Sequence, residues 1–199
     1  MIAVVDYKAG NLTSVMKALR AVGAEALLSD EPEVVAKAGK IILPGVGHFS
    51  ATRYLRDRGL EQVIRERVEA GAPFLGICVG LQWLFAGSRE APEVQGLDAL
   101  EGVCDRFSAR DLKVPHVGWN SLEIREGSRL FAGVPQHAFV YFTHSYCAPV
   151  VDSTVAIAEY GQPFTAAVER DNVMGVQFHP EKSAAAGRQV LQNFVRLAC

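Results

Sequence analysis

Pro73-Phe74-Leu75-Gly76-Ile77-Cys78-Val79-Gly80 decides how the rest of the chain is read. The apolar run from Pro73 to Ile77 has the length and continuity of a strand buried on both faces. Leu81, Leu84 and Phe85 then recur at helical spacing, so a cysteine framed by Gly76 and Gly80 sits where strand gives way to helix. The first glycine removes a side chain that would crowd a sharp turn, and the second lets the following helix approach closely. Such a turn carries its middle residue at the carboxyl edge of the sheet, where open α/β folds bind ligands. It also turns that residue toward a helix N-terminus, which favours a thiolate. The backbone N–H of Val79 can point toward a developing oxyanion. A lone buried cysteine is more often only a small hydrophobe. The glycine frame is what makes Cys78 a candidate nucleophile.

Upstream, short apolar runs alternate with amphipathic stretches: Ile2 to Val5, Leu12 to Val22, Ala26 to Leu28, Ile41 to Leu43, then a helical pattern through Leu60, Val63, Ile64 and Val68 that ends at Gly71. This alternation predicts βα units around a parallel sheet. Downstream, from about Lys113, the texture changes to short β-rich segments: Ser121 to Ile124, Ala138 to Phe142, Thr154 to Ala158, Thr165 to Val168 and Val173 to Phe178, separated by turn residues. These are expected to extend the sheet, partly antiparallel. A last helix is expected over about Ala184 to Leu197, burying Val190, Leu191, Phe194 and Val195. The fold class expected is therefore α/β, with a mixed, mostly parallel central sheet flanked by helices and an antiparallel extension in the C-terminal half.

A cysteine nucleophile needs a base, and a third group commonly fixes the base's tautomer. Gln177-Phe178-His179-Pro180-Glu181 offers both at another strand end. Pro180 disfavours a helical conformation at His179 and helps hold imidazole and carboxylate in one relation. A lone histidine at a strand end is more often structural, and His48, His116, His137 and His144 lack a carboxylate two residues on. His179 stands out because Glu181 accompanies it and Cys78 requires it. A metal site is set aside: neither His-x-x-x-His nor paired cysteines occur, and no cofactor is expected. Pro44-Gly45-Val46-Gly47, a glycine-rich loop after a strand, could bring backbone N–H groups against a substrate, although standing alone it reads as an ordinary turn.

Gly-Ile-Cys-Val-Gly at 76–80 with the distant Phe-His-Pro-Glu at 178–181 resembles the class I, or triad, glutamine amidotransferases over almost the whole chain. Val5-Asp6-Tyr7 with Gly10-Asn11, Leu43 to Phe49, Pro115 to Asn120 and Tyr141 to Tyr146 narrow the likeness to one branch. They look like the glutaminase subunits of imidazole glycerol phosphate synthases. The resemblance implies a flavodoxin-like core and one amidotransferase domain over residues 1–199. It also implies Cys78 as nucleophile, His179 as general base and acid, and Glu181 as its orienter. The oxyanion hole would come from the backbone of Val79 with Val46 or Gly47. Gly47, Gln82, Ser145 and Tyr146 would contact the glutamine. Gln82, one helical turn past Cys78, can face the same cleft on spacing alone. The partner implied is a (β/α)8-barrel cyclase subunit in a heterodimer, with Asn11, His116, Trp119, Asn120 and Lys182 near the contact.

Bulk properties constrain the rest. A chain of 199 residues, 49% hydrophobic and 21% charged, can bury an ordinary core, roughly 70% of its unfolded surface. A formal net charge of −2 without like-charge runs favours neither nucleic acid nor an anionic membrane. Cys78, Cys104, Cys147 and Cys199 form no disulfide framework, the N-terminus lacks a signal-peptide pattern, and no apolar run reaches spanning length. A soluble cytoplasmic protein is expected. The absence of a P-loop or a dinucleotide fingerprint fits nucleotide chemistry lying on a partner. Two other readings remain. One is a non-catalytic subunit with Cys78 as a redox-sensitive thiol; the other is a stand-alone cysteine hydrolase acting on another amide.

Overall fold

β1 (Ile2–Val5), α1 (Leu12–Ala21), β2 (Ala26–Ser29), α2 (Pro32–Ala36), β3 (Lys40–Gly45), α3 (Arg53–Asp57), α4 (Leu60–Glu69) and β4 (Phe74–Cys78) alternate along the first part of the chain, as the βα pattern requires. This is a computed structural model that describes residues 1–108 and 112–198; Cys199 lies outside the described residues. Then follow α5 (Val79–Gln82), β5 (Phe85–Ser88), β6 (Leu100–Arg106), β7 (His116–Ser121), β8 (Glu123–Ile124), β9 (Phe139–His144), β10 (Tyr146–Cys147), β11 (Thr154–Glu159), β12 (Pro163–Arg170), β13 (Val173–Val176) and α6 (Ala184–Arg196).

The main sheet has eight strands in the order β2-β1-β3-β4-β13-β12-β11-β8. The first five are parallel, and β12, β11 and β8 extend it antiparallel. Every residue of β1, β3, β4 and β13 is buried, the pattern of strands covered on both faces. The helices that cover them pack in two groups, α1 with α6 and α2, α3 with α4. Each fully buried Leu, Ile or Phe in these layers contributes roughly 1.5–3 kcal/mol. Among the described residues, no helix is long and apolar enough to cross a membrane.

Three expectations need correction. The helix after Cys78 is a single turn ending at Gln82, and Phe85 opens β5 instead of continuing it. Beyond that turn the carbonyls of Trp83 and Phe85 accept from the amides of Leu97 and Asp98, and Phe85 pairs with Leu100, so tertiary bonds replace helical ones. The β-rich region thus begins at Phe85, not near Lys113. Nor do all later strands extend the main sheet: β7 and β9 form a separate antiparallel ribbon, and β10 joins β6 and β5 in a three-stranded sheet. The segment Ser121 to Ile124 divides at Leu122, which is fully buried and exchanges backbone bonds with Ala138 and His137. Residues before it pair with β9, and those after it pair with β11.

The turn at Cys78 works only because its glycines let three backbones meet. A Cβ on Gly80 would overlap the carbonyl oxygen of Leu43 in β3, and one on Gly76 would overlap the carbonyl of Gly80. Neither obstacle is a flexible side chain. Gly80→Ala should therefore lower stability in urea unfolding by roughly 1–3 kcal/mol or more. An unchanged midpoint would mean that α5 can move away from β3 at no cost.

Candidate active site

Strand register assembles the site. Gly45 of β3 pairs with Cys78 of β4, so the loop through Val46 and Gly47 leaves the sheet beside the cysteine. On the other side Val176 of β13 pairs with Ile77, so Gln177, Phe178 and His179 leave the same carboxyl edge. Cys78 is buried and adopts φ 55 and ψ −108, a left-handed-side conformation unusual for a residue with a Cβ. Strain of this kind persists where the surroundings over-determine it. Here Gly76, Gly80 and the walls of β3 and β13 do so. Because α5 has only four residues, its macrodipole contribution at Cys78 is smaller than a full helix would supply.

His179 and Glu181 form a buried pair, with Nδ1 2.9 Å from Oε1 and side chains 1% and 2% exposed. A carboxylate there fixes the ring with its proton on Nδ1 and leaves Nε2 as the basic position. Nε2 has no hydrogen bond of good geometry and interacts with Cys78 beside it. Burial alone would push the imidazole pKa down, but Cys78 and Glu181 outweigh it and raise the value to about 9. Four backbone-linked bonds hold the segment: His179 N donates to Tyr141 O (2.9 Å), Ser183 Oγ to His179 O (2.6 Å), Tyr141 N to Ser183 Oγ (2.9 Å) and Lys182 N to His179 O (3.0 Å). The base is thus gripped by β9.

A small cleft of about 40 Å³ opens at Cys78, lined by Gly47, Val79, Gln82, Glu90 and Thr143 to Tyr146. It can hold a water, but it is too small for an amino acid. A larger groove of about 460 Å³ at Leu100, Glu101, Val150 to Ser153 and Arg170 contains none of the predicted site residues. Val46 is exposed and outside the lining, although its backbone adjoins Gly47.

Of the residues expected near a partner, Asn11 is exposed and caps α1, its Oδ1 accepting from Ser14 N at 3.3 Å. Trp119 is exposed, packs edge-on against Tyr141 with centroids 6.1 Å apart, and lies on the same ribbon as the exposed Val117 and Phe139. Lys182 is exposed with its ammonium 5.6 Å from the Tyr141 ring centroid. Asn120 is half-buried, donating to Glu159 O at 2.8 Å.

His116 departs from the expectation. Its side chain is buried, stacked between Tyr160 and Phe142, and bonded through Nδ1 to His144 Nε2 at 3.0 Å. The alternation of β7 turns Val117 and Trp119 outward and therefore His116 inward. Burial pushes its pKa down to about 4 and that of His144 to about 3, so both rings are neutral.

The structure adds Glu90, Thr143, His144 and Gln177 to the sequence-predicted set. Glu90 follows β5, which periodicity did not reveal. Gln177 was in view beside Phe178 and His179, but a polar residue at a strand end carries no signal of its own. Among the described residues, no cluster of three or more His, Cys, Asp or Glu could hold a metal.

Residues 3–198 match the family described as Glutamine amidotransferase class-I. The chain belongs to that family. As a class I glutamine amidotransferase it is 46% identical over 198 residues to the imidazole glycerol phosphate synthase subunit HisH of Methanothermobacter thermautotrophicus, covering 99% of this chain and 98% of that one. It is 47% identical over 201 residues to the HisH subunit of Acaryochloris marina, covering 98% and 94%. Among solved structures, a glutamine amidotransferase superposes with a TM-score of 0.76 at 23% identity, covering 97% and 96%. PurLQS from Thermotoga maritima gives 0.70 at 21% identity, also covering 97% and 96%. The structural likenesses bear on the fold alone.

The raised His179 pKa has a consequence for the stability of this amidotransferase. The folded protein holds a proton that the unfolded chain releases near 6.5, so the stabilisation is complete below that pH. It fades as pH rises toward 9. Between pH 6.5 and 9 the parent should lose more stability in urea unfolding than His179→Asn. The buried thiols Cys104 and Cys147 are common to both proteins and cancel, whereas Cys78 interacts with His179, so the difference between the two profiles belongs to the Cys78–His179 pair. Parallel pH profiles would show that His179 carries no extra proton when folded.

Proposed function

We propose that this chain, as one amidotransferase domain over residues 1–199, is the glutaminase subunit of an imidazole glycerol phosphate synthase. The observation that carries this reading is the convergence of Cys78 with the buried His179–Glu181 pair at one sheet edge, in a chain similar to HisH subunits along nearly its whole length.

The chemistry follows from the arrangement. The sulfur of Cys78 attacks the side-chain amide carbon of glutamine, and the oxyanion is met by the N–H of Val79 and an N–H of the Val46–Gly47 loop. His179 passes a proton to the departing nitrogen, ammonia leaves, and a thioester remains. His179 then takes a proton from water as its oxygen attacks the thioester, and glutamate is released. Glu181 steadies the imidazolium in both halves. Gly47, Gln82, Ser145 and Tyr146 hold the substrate, and the Glu90 carboxylate suits its α-ammonium. The cleft at Cys78 is narrow, and the loop at Gly47 has open space beside it.

Free ammonia is mostly protonated at neutral pH, so the product needs a guarded destination. A (β/α)8 cyclase subunit supplies one, adding ammonia to phosphoribulosyl-formimino-aminoimidazole carboxamide ribotide to give imidazole glycerol phosphate and aminoimidazole carboxamide ribotide. The apolar face of Val117, Trp119 and Phe139, with Lys182 beside it on Tyr141, is the docking surface we assign to it, and Asn11 is expected near the contact by resemblance. The free buried thiols of Cys78, Cys104 and Cys147 suit the reducing cytoplasm.

Glutamate release from glutamine, with and without a cyclase subunit and its nucleotide ligand, tests the reading. The parent should turn over in the loaded complex and Cys78→Ala under no condition. Absence of turnover by the parent everywhere would remove the enzyme reading, and full turnover without a partner would favour the stand-alone hydrolase. Lys182 directly follows Glu181 and lies on Tyr141, so Lys182→Ala should be activated less by the loaded cyclase than the parent. Equal activation would end that coupling idea.

A further inference from the structure

Gln177 is wholly buried at the carboxyl end of β13, two residues before His179, and the mechanism above does not use it. Its Nε2 lies 3.5 Å from the sulfur of Cys78, and its Oε1 is 3.1 Å from Nε2 of Gln82. Gln82 Nε2 also donates to the backbone carbonyl of Tyr146 at 3.0 Å. That carbonyl settles the orientation of both carboxamides. A backbone oxygen can only accept, so Gln82 must present nitrogen to it and its second N–H to Gln177. Gln177 must answer with oxygen, which leaves its own nitrogen facing the sulfur.

The anchor is itself fixed. His144 Nδ1 donates to the same Tyr146 carbonyl at 2.9 Å, and His116 Nδ1 meets His144 Nε2 at 3.0 Å. Turning the amide pair over would set Gln82 Oε1 against the Tyr146 oxygen, two acceptors at hydrogen-bond distance with no proton between them, so the pair keeps this orientation. An apolar side chain would fill the same space without needing partners. What a carboxamide adds here is one N–H aimed at the nucleophile.

We infer that Gln177 is a positioning residue for the nucleophile: its amide N–H holds the sulfur of Cys78 in one orientation and favours its thiolate, with Gln82 setting the direction of that amide. The inference rests on the glutaminase reading for its catalytic meaning, but not for its chemistry. An N–H donor to sulfur stabilises the charged form over the neutral thiol. Gln82 keeps a buried Oε1 without a partner, so a donor from substrate there would strengthen the N–H bonds that run on to Gln177.

The test is alkylation of Cys78 by iodoacetamide against pH in the full chain, read by peptide mass so that other thiols do not contribute. Gln177→Met should alkylate about tenfold more slowly near neutral pH and regain the parent rate about one pH unit higher. In the loaded complex its kcat should fall about tenfold with little change in the KM for glutamine. Gln177→Glu, which replaces the donor by an acceptor of the same shape, should displace the alkylation profile further in the same direction. Should Gln177→Met fail to fold, Gln82→Met releases the amide without touching it and should displace the profile the same way.

Folded variants with the parent's alkylation profile would overturn the inference, as would a loss of turnover with that profile intact. Alkylation needs neither partner nor turnover. A displaced profile in a chain whose parent never releases glutamate would therefore support the positioning role while overturning the functional reading.

Discussion

Parallel pairing of β4 with β13 is the constraint on which the chemistry depends. It sets Ile77 beside Val176, so that the segments carrying Cys78 and His179, far apart in the chain, leave the sheet at one level. The register is locked at the opposite end by Asn172. Its carbonyl accepts from Phe74 N at 2.8 Å, and its Nδ2 donates to the carbonyls of Val68 (2.8 Å) and Ala72 (2.9 Å). A slip of one residue would carry every side chain of β13 to the other face. Cys78 and His179 would then no longer meet. Such a pairing closes a long loop before its contacts reward it, and the uninterrupted burial of both strands is what offsets that cost.

Within that frame, the nucleophile is held by absence of side chains. Gly45, Gly76 and Gly80 bring β3, β4 and α5 so close that Cβ atoms would overlap neighbouring atoms at all three. The left-handed backbone at Cys78 is a result of this crowding, and Tyr7 completes it, its buried hydroxyl packed against Gly45. Burial keeps that phenol protonated by raising its pKa. The polar groups here belong to a rigid wall, while the loop at Gly47, with φ 121 and nothing within 4 Å of where a Cβ would stand, has room to move.

This contrast explains what could be read in the sequence. The elements β1, α1, β3, α4 and β4 were legible because their patterns are local: continuous apolar runs for strands covered on both faces, 3.6-residue spacing for helices. Cys78 was visible through its glycines and His179 through Glu181. β5 and β6 were not, since the bonds that end α5 after Gln82 come from Leu97 and Asp98, which no window around Cys78 contains. The inward orientation of His116 was hidden for a related reason. Its neighbours Val117 and Trp119 do face outward, but strand alternation turns His116 into an aromatic cluster with Phe107, Phe142 and Tyr160. Glu90 and Gln177 have roles defined only by what lies across the cleft. The type of a polar residue does not encode that.

The buried position of His116 changes how the ribbon relates to the site. Strand β9 grips the base directly through Tyr141, whose carbonyl takes the His179 amide and whose amide reaches Ser183. Strand β7 reaches the nucleophile by a second route, from His116 through His144 to the Tyr146 carbonyl, and from there through Gln82 and Gln177 to the sulfur. The apolar face of Val117, Trp119 and Phe139 lies on the outside of this same ribbon. Each link is a hydrogen bond in a buried setting, where an unmade bond is costly. The ribbon is thus bonded both to the base and, through the Tyr146 carbonyl, to the donor at the nucleophile. A partner docked there would act on the orientation of the reacting groups, and it would need to touch none of them.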